Sequence, residues 1–237
     1  MIDIHVHILP EMDDGPSSME EALEMARIAV KDGIRTIVAA PHSLNGLYVN
    51  RRQKIISACA EFNTALKNHS IPLSVLPGCE ARMSPEILDE LQSGRLMTIN
   101  DTGRYFFLEL PDQFIAQTVI NLTDHLADRD VTPVLAHPER NASIQHNVKF
   151  LSDFVSAGGL CQVTGRSLTG EFGPHALKCC KRIIRLNMVH FLASDAHSRK
   201  SRPPRLSGAF LKLSSIIGKT KAESMLYDAP QVILNGS

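Results

Sequence analysis

No run of this chain is apolar for long enough to cross a bilayer. Its first residues place histidines and an acidic loop where a secretory leader needs a basic start and an apolar stretch. There is no excess of charge either: 25 basic residues balance 25 acidic ones, so no global field draws the molecule to a polyanion. Basic stripes interleaved with aromatics, the footprint of nucleic-acid binding, are missing. Cysteines number five, an odd count with no Cys-x-x-Cys pair, which argues against a disulfide framework and for a reducing compartment. We therefore expect a cytoplasmic protein with no direct membrane insertion and no nucleic-acid partner. No linker, low-complexity tract or repeat divides the 237 residues, and the whole chain is expected to form a single domain.

What is present begins at the first strand, Ile2-Asp3-Ile4-His5-Val6-His7-Ile8. Side chains alternate along a strand, so His5 and His7 should project together and Ile4, Val6 and Ile8 the other way. After the acidic turn Glu11 to Pro16, Ser17 and Glu20 have capping-box spacing, and a helix is expected from Ser17 to a stop at Gly33. The pattern then alternates. Strands are expected at 34–41, 74–80, 105–110, 132–136, 160–164 and 189–194. Helices are expected over 50–67, from Ser84, over 114–129, 147–157 and 174–186, with a loop at 165–173 and two terminal helical segments.

Short apolar strands alternating with helices read as βα units with parallel pairing. Seven such strands in 237 residues point to an α/β fold, a TIM-like βα barrel. In such barrels functional groups gather at the C-terminal strand ends. His5, His7, His42, Glu80, Glu109, His137, Asp195 and His197 all fall there. Buried carboxylates clustered without cations are costly through desolvation and mutual repulsion, and divalent metals remove both costs. A metal site follows.

These motifs resemble the polymerase-and-histidinol-phosphatase (PHP) family: His5-x-His7, Asp13-Asp14-Gly15, Pro41-His42, Glu80, Glu109, Ala136-His137 and Ser194-Asp195-x-His197. Gly78-x-Glu80, His137-Pro138-Glu139-Arg140 and Arg202-Pro203-Pro204 narrow the resemblance to the bacterial metal-dependent protein tyrosine phosphatases encoded with capsule and exopolysaccharide genes. The resemblance implies a distorted seven-stranded barrel carrying three divalent ions, manganese, iron or zinc, with manganese favoured. It implies His5, His7, Glu80 and Asp195 around the first ion, Glu80, Glu109 and His137 around the second, and Asp14, His42 and His197 around the third. Asp13 competes with Asp14 for that last role. The implied substrate is a phosphotyrosine protein, a tyrosine kinase controlling polysaccharide export.

Closely spaced ions hold a hydroxide at neutral pH and neutralise phosphate oxygens during in-line attack at phosphorus, which suits monoester hydrolysis. Arg140 and Arg202 follow proposed ligands closely enough to reach the same mouth, and a guanidinium fork matches phosphate oxygens. A phenolate leaving group, of pKa about 10, needs less help from a general acid than an alkoxide. Arg166, at the sixth strand end, either contacts substrate or faces solvent. The rival thiolate chemistry needs Cys-x5-Arg, and Cys179 to Arg185 has that spacing, but the segment lacks glycine and patterns as an amphipathic helix. His190 has the wrong strand parity to join the site, and His69, His125, His146 and His175 have no partner motif. The nearest alternative activity is a small-molecule phosphatase such as histidinol phosphatase.

Overall fold

The computed structural model describes residues 1–237. Nine strands form: β1 Ile2–Val6, β2 Thr36–Ala39, β3 His42–Ser43, β4 Ser74–Leu76, β5 Glu80–Arg82, β6 Tyr105–Glu109, β7 Thr132–Ala136, β8 Leu160–Thr164 and β9 Phe191–Ala193. All pair in parallel, in two sheets ordered β1-β2-β4 and β3-β5-β6-β7-β8-β9. This corrects the expected seven-stranded ladder. Two of the seven expected strands, 34–41 and 74–80, stop short as β2 and β4, and after a break each is followed by a short strand, β3 or β5, that belongs to the other sheet.

The break has a local cause. Pro41 and Pro77 have no N–H to give a ladder, and both lie in the gap between the pairs Val38 with Leu76 and His42 with Glu80. Gly78 sits in the same gap, where a Cβ would stand 2.6 Å from Val38 Cγ1 and 3.0 Å from the Ala39 carbonyl. Each sheet runs up to the gap: Ala40 N–H donates to the Val6 carbonyl at the end of the first, and Glu80 N–H to the Pro41 carbonyl at the start of the second. The far edges meet at one isolated bridge, Val6 with Ala196.

The helices are α1 Met19–Lys31, α2 Arg52–Asn68, α3 Ile87–Gln92, α4 Ala116–Ala127, α5 Ala142–His146, α6 Lys149–Ser156, α7 Gly165–Thr169, α8 Gly173–Arg185, α9 Ser207–Ile217, α10 Lys219–Ser224 and α11 Asp228–Asn235. The cap of α1 is one residue later than expected: Ser18 accepts from Glu21 N–H, while Glu21 reaches back to Ser17. Helix α2 buries Ile55, Cys59, Phe62 and Leu66, the face that the sequence marks. The expected loop at 165–173 contains α7, and three helices, not two, close the chain. No helix is long and apolar enough to cross a membrane.

Two apolar clusters divide the core. The larger, of 52 buried residues, lies between strands and helices and includes Val6, Phe106, Leu108, Leu135, Cys161, Val163 and Leu192. The smaller has ten, among them Ile4, Val38, Phe107, Val134, Phe191, Ala193, Ile233 and Leu234. Alternation sorts them: on β6, Phe106 and Leu108 face the helices, whereas Phe107 shares the inner side with Glu109 one step along. The site thus stands on an apolar floor. On β1 the expected parity holds for His5, His7, Val6 and Ile8 but not for Ile4. The strand's register with β2 slips between Asp3 and Val6, so Ile4 joins the inner cluster while Val6 joins the outer one, and His5 and His7 both turn inward.

Candidate metal centre

Strand β1 delivers the two imidazoles that the other groups surround. His5 and His7 are buried with their Nε2 atoms 3.3 Å apart. Each Nε2 is 3.5 Å from Glu80 Oε2, and Asp195 Oδ1 is 3.8 Å from His5 and 3.6 Å from His7. The far side of each ring is tied down. His5 Nδ1 donates to Gln162 Oε1 at 2.9 Å, and His7 Nδ1 donates to Asp13 Oδ2 at 2.6 Å. In the neutral rings those bonds place the proton on Nδ1 and leave lone pairs on both Nε2 atoms, aimed at one point. Below them the Phe107 ring packs against His5, with centroids 4.9 Å apart.

The Asp13-Asp14-Gly15 turn separates its two acids. Asp13 accepts from His7, from Gly15 N–H at 3.0 Å and from His42 N–H at 2.9 Å, so it orients imidazole and backbone from behind. Asp14 faces inward, with Oδ1 3.6 Å from His42 Nε2 and 3.4 Å from His197 Nε2. Gly15 is required because a Cβ there would lie 2.7 Å from the His7 carbonyl oxygen. His7, Asp14, His42 and His197 together present ligand atoms within 4.8 Å of one another, as do His5, His7 and Glu80.

The expected Glu80, Glu109 and His137 trio is arranged differently. His42, Glu80 and Glu109 form the compact group, and His137 Nε2 instead bonds Glu80 Oε1 at 2.7 Å. Glu109 also pairs with Arg82 Nη1 at 3.4 Å. Glu80 is therefore the hub, with Oε2 also 3.1 Å from His42 Nδ1. Two of the strand-end groups carry backbone strain: His137 has φ 34° and Asp195 φ 50°, left-handed values that bulky side chains avoid.

Charge of both signs is concentrated here. Burial opposes ionisation of Glu80, but His5 and His137 outweigh it and hold its pKa well below the usual carboxylate range. Burial likewise opposes charge on His7, and Asp13 with Glu80 overrides it, lifting the pKa to about 10, so that Nε2 keeps a proton until a cation displaces it. His197 goes the other way, down to about 2, through burial and the proximity of His7. Buried Glu80 Oε2 and His42 Nδ1 face each other at 3.1 Å without hydrogen-bond geometry, and neither has another partner. Orphaned oxygen and nitrogen atoms converging with two imidazole Nε2 atoms fit divalent cations, and the mixed N and O donor set is that of Zn, Fe or Mn.

Arg140 and Arg202 close the rim. Neither stands as a free fork: Arg140 Nη1 and Arg202 Nη2 both donate to Asp195 Oδ2, the latter at 2.6 Å, and Arg202 also donates to the Asp195 carbonyl at 2.9 Å. Arg202 Nε is buried and unpartnered. Three guanidinium groups lie over the Phe172 ring, Arg140 at 4.8 Å, Arg166 at 5.4 Å and Arg202 at 5.6 Å from its centroid.

Sequence reasoning missed Gln162, the orienting role of Asp13, and Glu139. Gln162 had one signal, its inward parity on the sixth expected strand. Glu139 is wholly buried, with Oε1 accepting from Thr164 N–H at 2.9 Å and its pKa raised by burial. His190 accepts from Cys161 N–H at 3.0 Å, away from the centre. Cys179 lies within α8, buried at 4% exposure, and burial pushes its thiol up to about 11.

The crystal structure of YwqE from Bacillus subtilis, described with CpsB from Streptococcus pneumoniae as metal-dependent tyrosine phosphatases, superposes with a TM-score of 0.95. It is 38% identical and covers 100% of this chain and 95% of its own. In sequence, the tyrosine-protein phosphatase YwqE of Bacillus subtilis is 42% identical over 202 residues, 85% of this chain and 79% of the relative. Histidinol phosphate phosphatase from Lactococcus lactis, solved with zinc, L-histidinol and phosphate, shares the fold alone, at TM-score 0.57 and 10% identity over 96% of this chain and 93% of its own. The model of the capsular polysaccharide synthesis family CpsB/CapC matches residues 1–235, and the chain belongs to that family.

Proposed function

We propose that the protein is a metal-dependent tyrosine phosphatase whose substrate is a phosphotyrosine protein of capsule synthesis, a tyrosine kinase of polysaccharide export. One observation carries the chemistry: two buried imidazole Nε2 atoms and an orphaned glutamate oxygen converge at the foot of a mouth rimmed by two arginines. His5, His7, Glu80 and Asp195 would hold a first ion, Glu80, Glu109 and His137 a second with His42 in reach, and Asp14, His42 and His197 a third. Manganese is the favoured metal of the three. Bound, such ions supply Lewis-acid charge and activate water at neutral pH.

The chain's own residues do the rest. Gln162 and Asp13 keep His5 and His7 in the tautomer that ligation needs. Asp195 holds Arg140 and Arg202 at the rim with one side of each fork, leaving other N–H groups for phosphate oxygens. Those donors stabilise charge that builds on the phosphoryl group in the transition state. Loss of phenolate from phosphotyrosine proceeds without a dedicated acid.

The test is hydrolysis of a phosphotyrosine peptide by purified protein, with and without chelator, restoring manganese, iron or zinc in turn. Activity is expected to vanish on chelation and in His7→Ala, to return with metal, and to persist in Cys179→Ser. Activity that survives chelation but disappears in Cys179→Ser would overturn the assignment.

A further inference from the structure

Beside the arginine rim lies a cleft that the hydrolytic chemistry does not use. It has a volume of about 650 Å³ and runs between α7 with the following turn, the end of α1, and the segment from Pro203 to α9. Lys31, Arg166 and Arg205 bring three positive charges to its walls, with Thr169 and Ser207 hydroxyls between them. Its two carboxylates are already engaged. Asp32 caps α9, accepting from Leu206 N–H at 2.6 Å, Ser207 N–H at 2.9 Å and the Ser207 hydroxyl. Glu171 pairs with Arg166 at 3.1 Å and accepts from the Thr169 hydroxyl at 2.7 Å. Lys31 and Arg205 pair with no carboxylate, and Arg166 Nε is buried without a partner.

The cleft neighbours the mouth, with Arg166 shared between its wall and the arginine rim. Arg166 reaches the Phe172 ring that Arg140 and Arg202 also cover, and Pro203 in the cleft wall adjoins Arg202. A peptide whose phosphotyrosine enters the centre advances about 3.3 Å per residue when extended, so its neighbours within a few positions pass over this wall. Three cations against two carboxylates leave the cleft net positive, with Lys31 and Arg205 unpaired, and such a lining favours anionic side chains.

We propose that this cleft is a substrate subsite, in which Lys31, Arg166 and Arg205 receive aspartate or glutamate side chains flanking the phosphotyrosine. The proposal rests on the phosphatase reading, deepening it to a sequence preference. Arg166 is a specificity-determining residue, not a member of the metal centre.

The experiment compares two labelled peptides that carry the non-hydrolysable phosphonodifluoromethyl analogue of phosphotyrosine, one with aspartates and one with asparagines on both flanks, by fluorescence anisotropy on the manganese-loaded protein. Wild type is expected to bind the aspartate peptide at least fivefold more tightly, with the advantage shrinking as salt rises. Lys31→Ala/Arg205→Ala, two exposed substitutions, should erase that advantage while hydrolysis of 4-nitrophenyl phosphate stays unchanged. Equal binding of the two peptides by wild type, or an advantage that survives in the double variant, would overturn the subsite. Failure to hydrolyse 4-nitrophenyl phosphate would overturn the phosphatase reading instead, and the binding comparison would still decide the subsite.

Discussion

Two regions of this molecule carry a signature of phosphatase chemistry. On α8 the spacing Cys179 to Arg185 satisfies the thiolate motif within seven consecutive residues. At the strand ends the candidate ligands come from stretches as far apart as His5 and His197. The compact motif has no matching geometry: its cysteine packs among Ala176, Cys180, Ile183 and Ile184 on the buried face of a helix. A thiol lifted to about 11 is neutral at physiological pH and a poor nucleophile. The dispersed motif has the geometry in full. A nearby pair of residues in sequence is weak evidence when the local structure points them apart, and distant residues are strong evidence when strand parity brings them together.

The widest separation between the regions should come from metal removal. Chelation, or His7→Ala, is expected to lower kcat by about a thousandfold or more, with restoration by added metal only in the wild type. Arg140→Ala or Arg202→Ala should cost about a hundredfold in kcat/KM, measured on a phosphotyrosine peptide with saturating metal. Asp13→Asn sharpens the ligand side of the comparison, because the residue acts from behind the site, through His7 and the backbone of Gly15 and His42. Metal affinity, followed by titration, should fall about 10- to 100-fold, with kcat largely recovered at high metal.

Gly78→Ala probes the platform instead of the chemistry. The new methyl meets Val38 and the Ala39 carbonyl, and denaturant unfolding should register a loss of about 1–3 kcal/mol. At the bottom of the scale, Cys179→Ser should leave turnover unchanged. Alkylation of Cys179 by iodoacetamide should be slow at neutral pH and quicken only as pH climbs toward about 11, since the thiolate fraction grows with pH up to the pKa. Rapid loss of activity on alkylation at neutral pH would reverse the comparison.

Period-two alternation made most of the site legible. Glu109, His137 and Asp195 stand at or just past strand ends as the sequence marks them, whereas Glu80, expected at the end of a strand, opens β5 beyond the break. Apolar spacing also marked the buried face of α2 to the residue. Three features escaped because they depend on partners. The slip in β1 arises from its pairing with β2, so Ile4 turned inward against its apparent parity. The division into two sheets depends on Pro41 and Pro77 falling opposite each other across one gap. The choice between Asp13 and Asp14 depends on which faces His42 and His197, which two adjacent acids in a turn cannot declare. Gln162 escaped for a chemical reason: an amide is not sought among metal ligands, yet it orients one of them.

The inner apolar cluster has a consequence for traffic. Ile233 and Leu234 of α11 stop the end of the interior opposite the ligand groups, and Phe107, Phe191 and Val134 fill the space between. The interior is a cul-de-sac. Whatever enters at the arginine rim leaves by the rim, and the phosphate, deepest in the dead end, must wait until the protein chain above it has departed. A single doorway predicts that inorganic phosphate inhibits phosphotyrosine-peptide hydrolysis competitively, which steady-state kinetics would read.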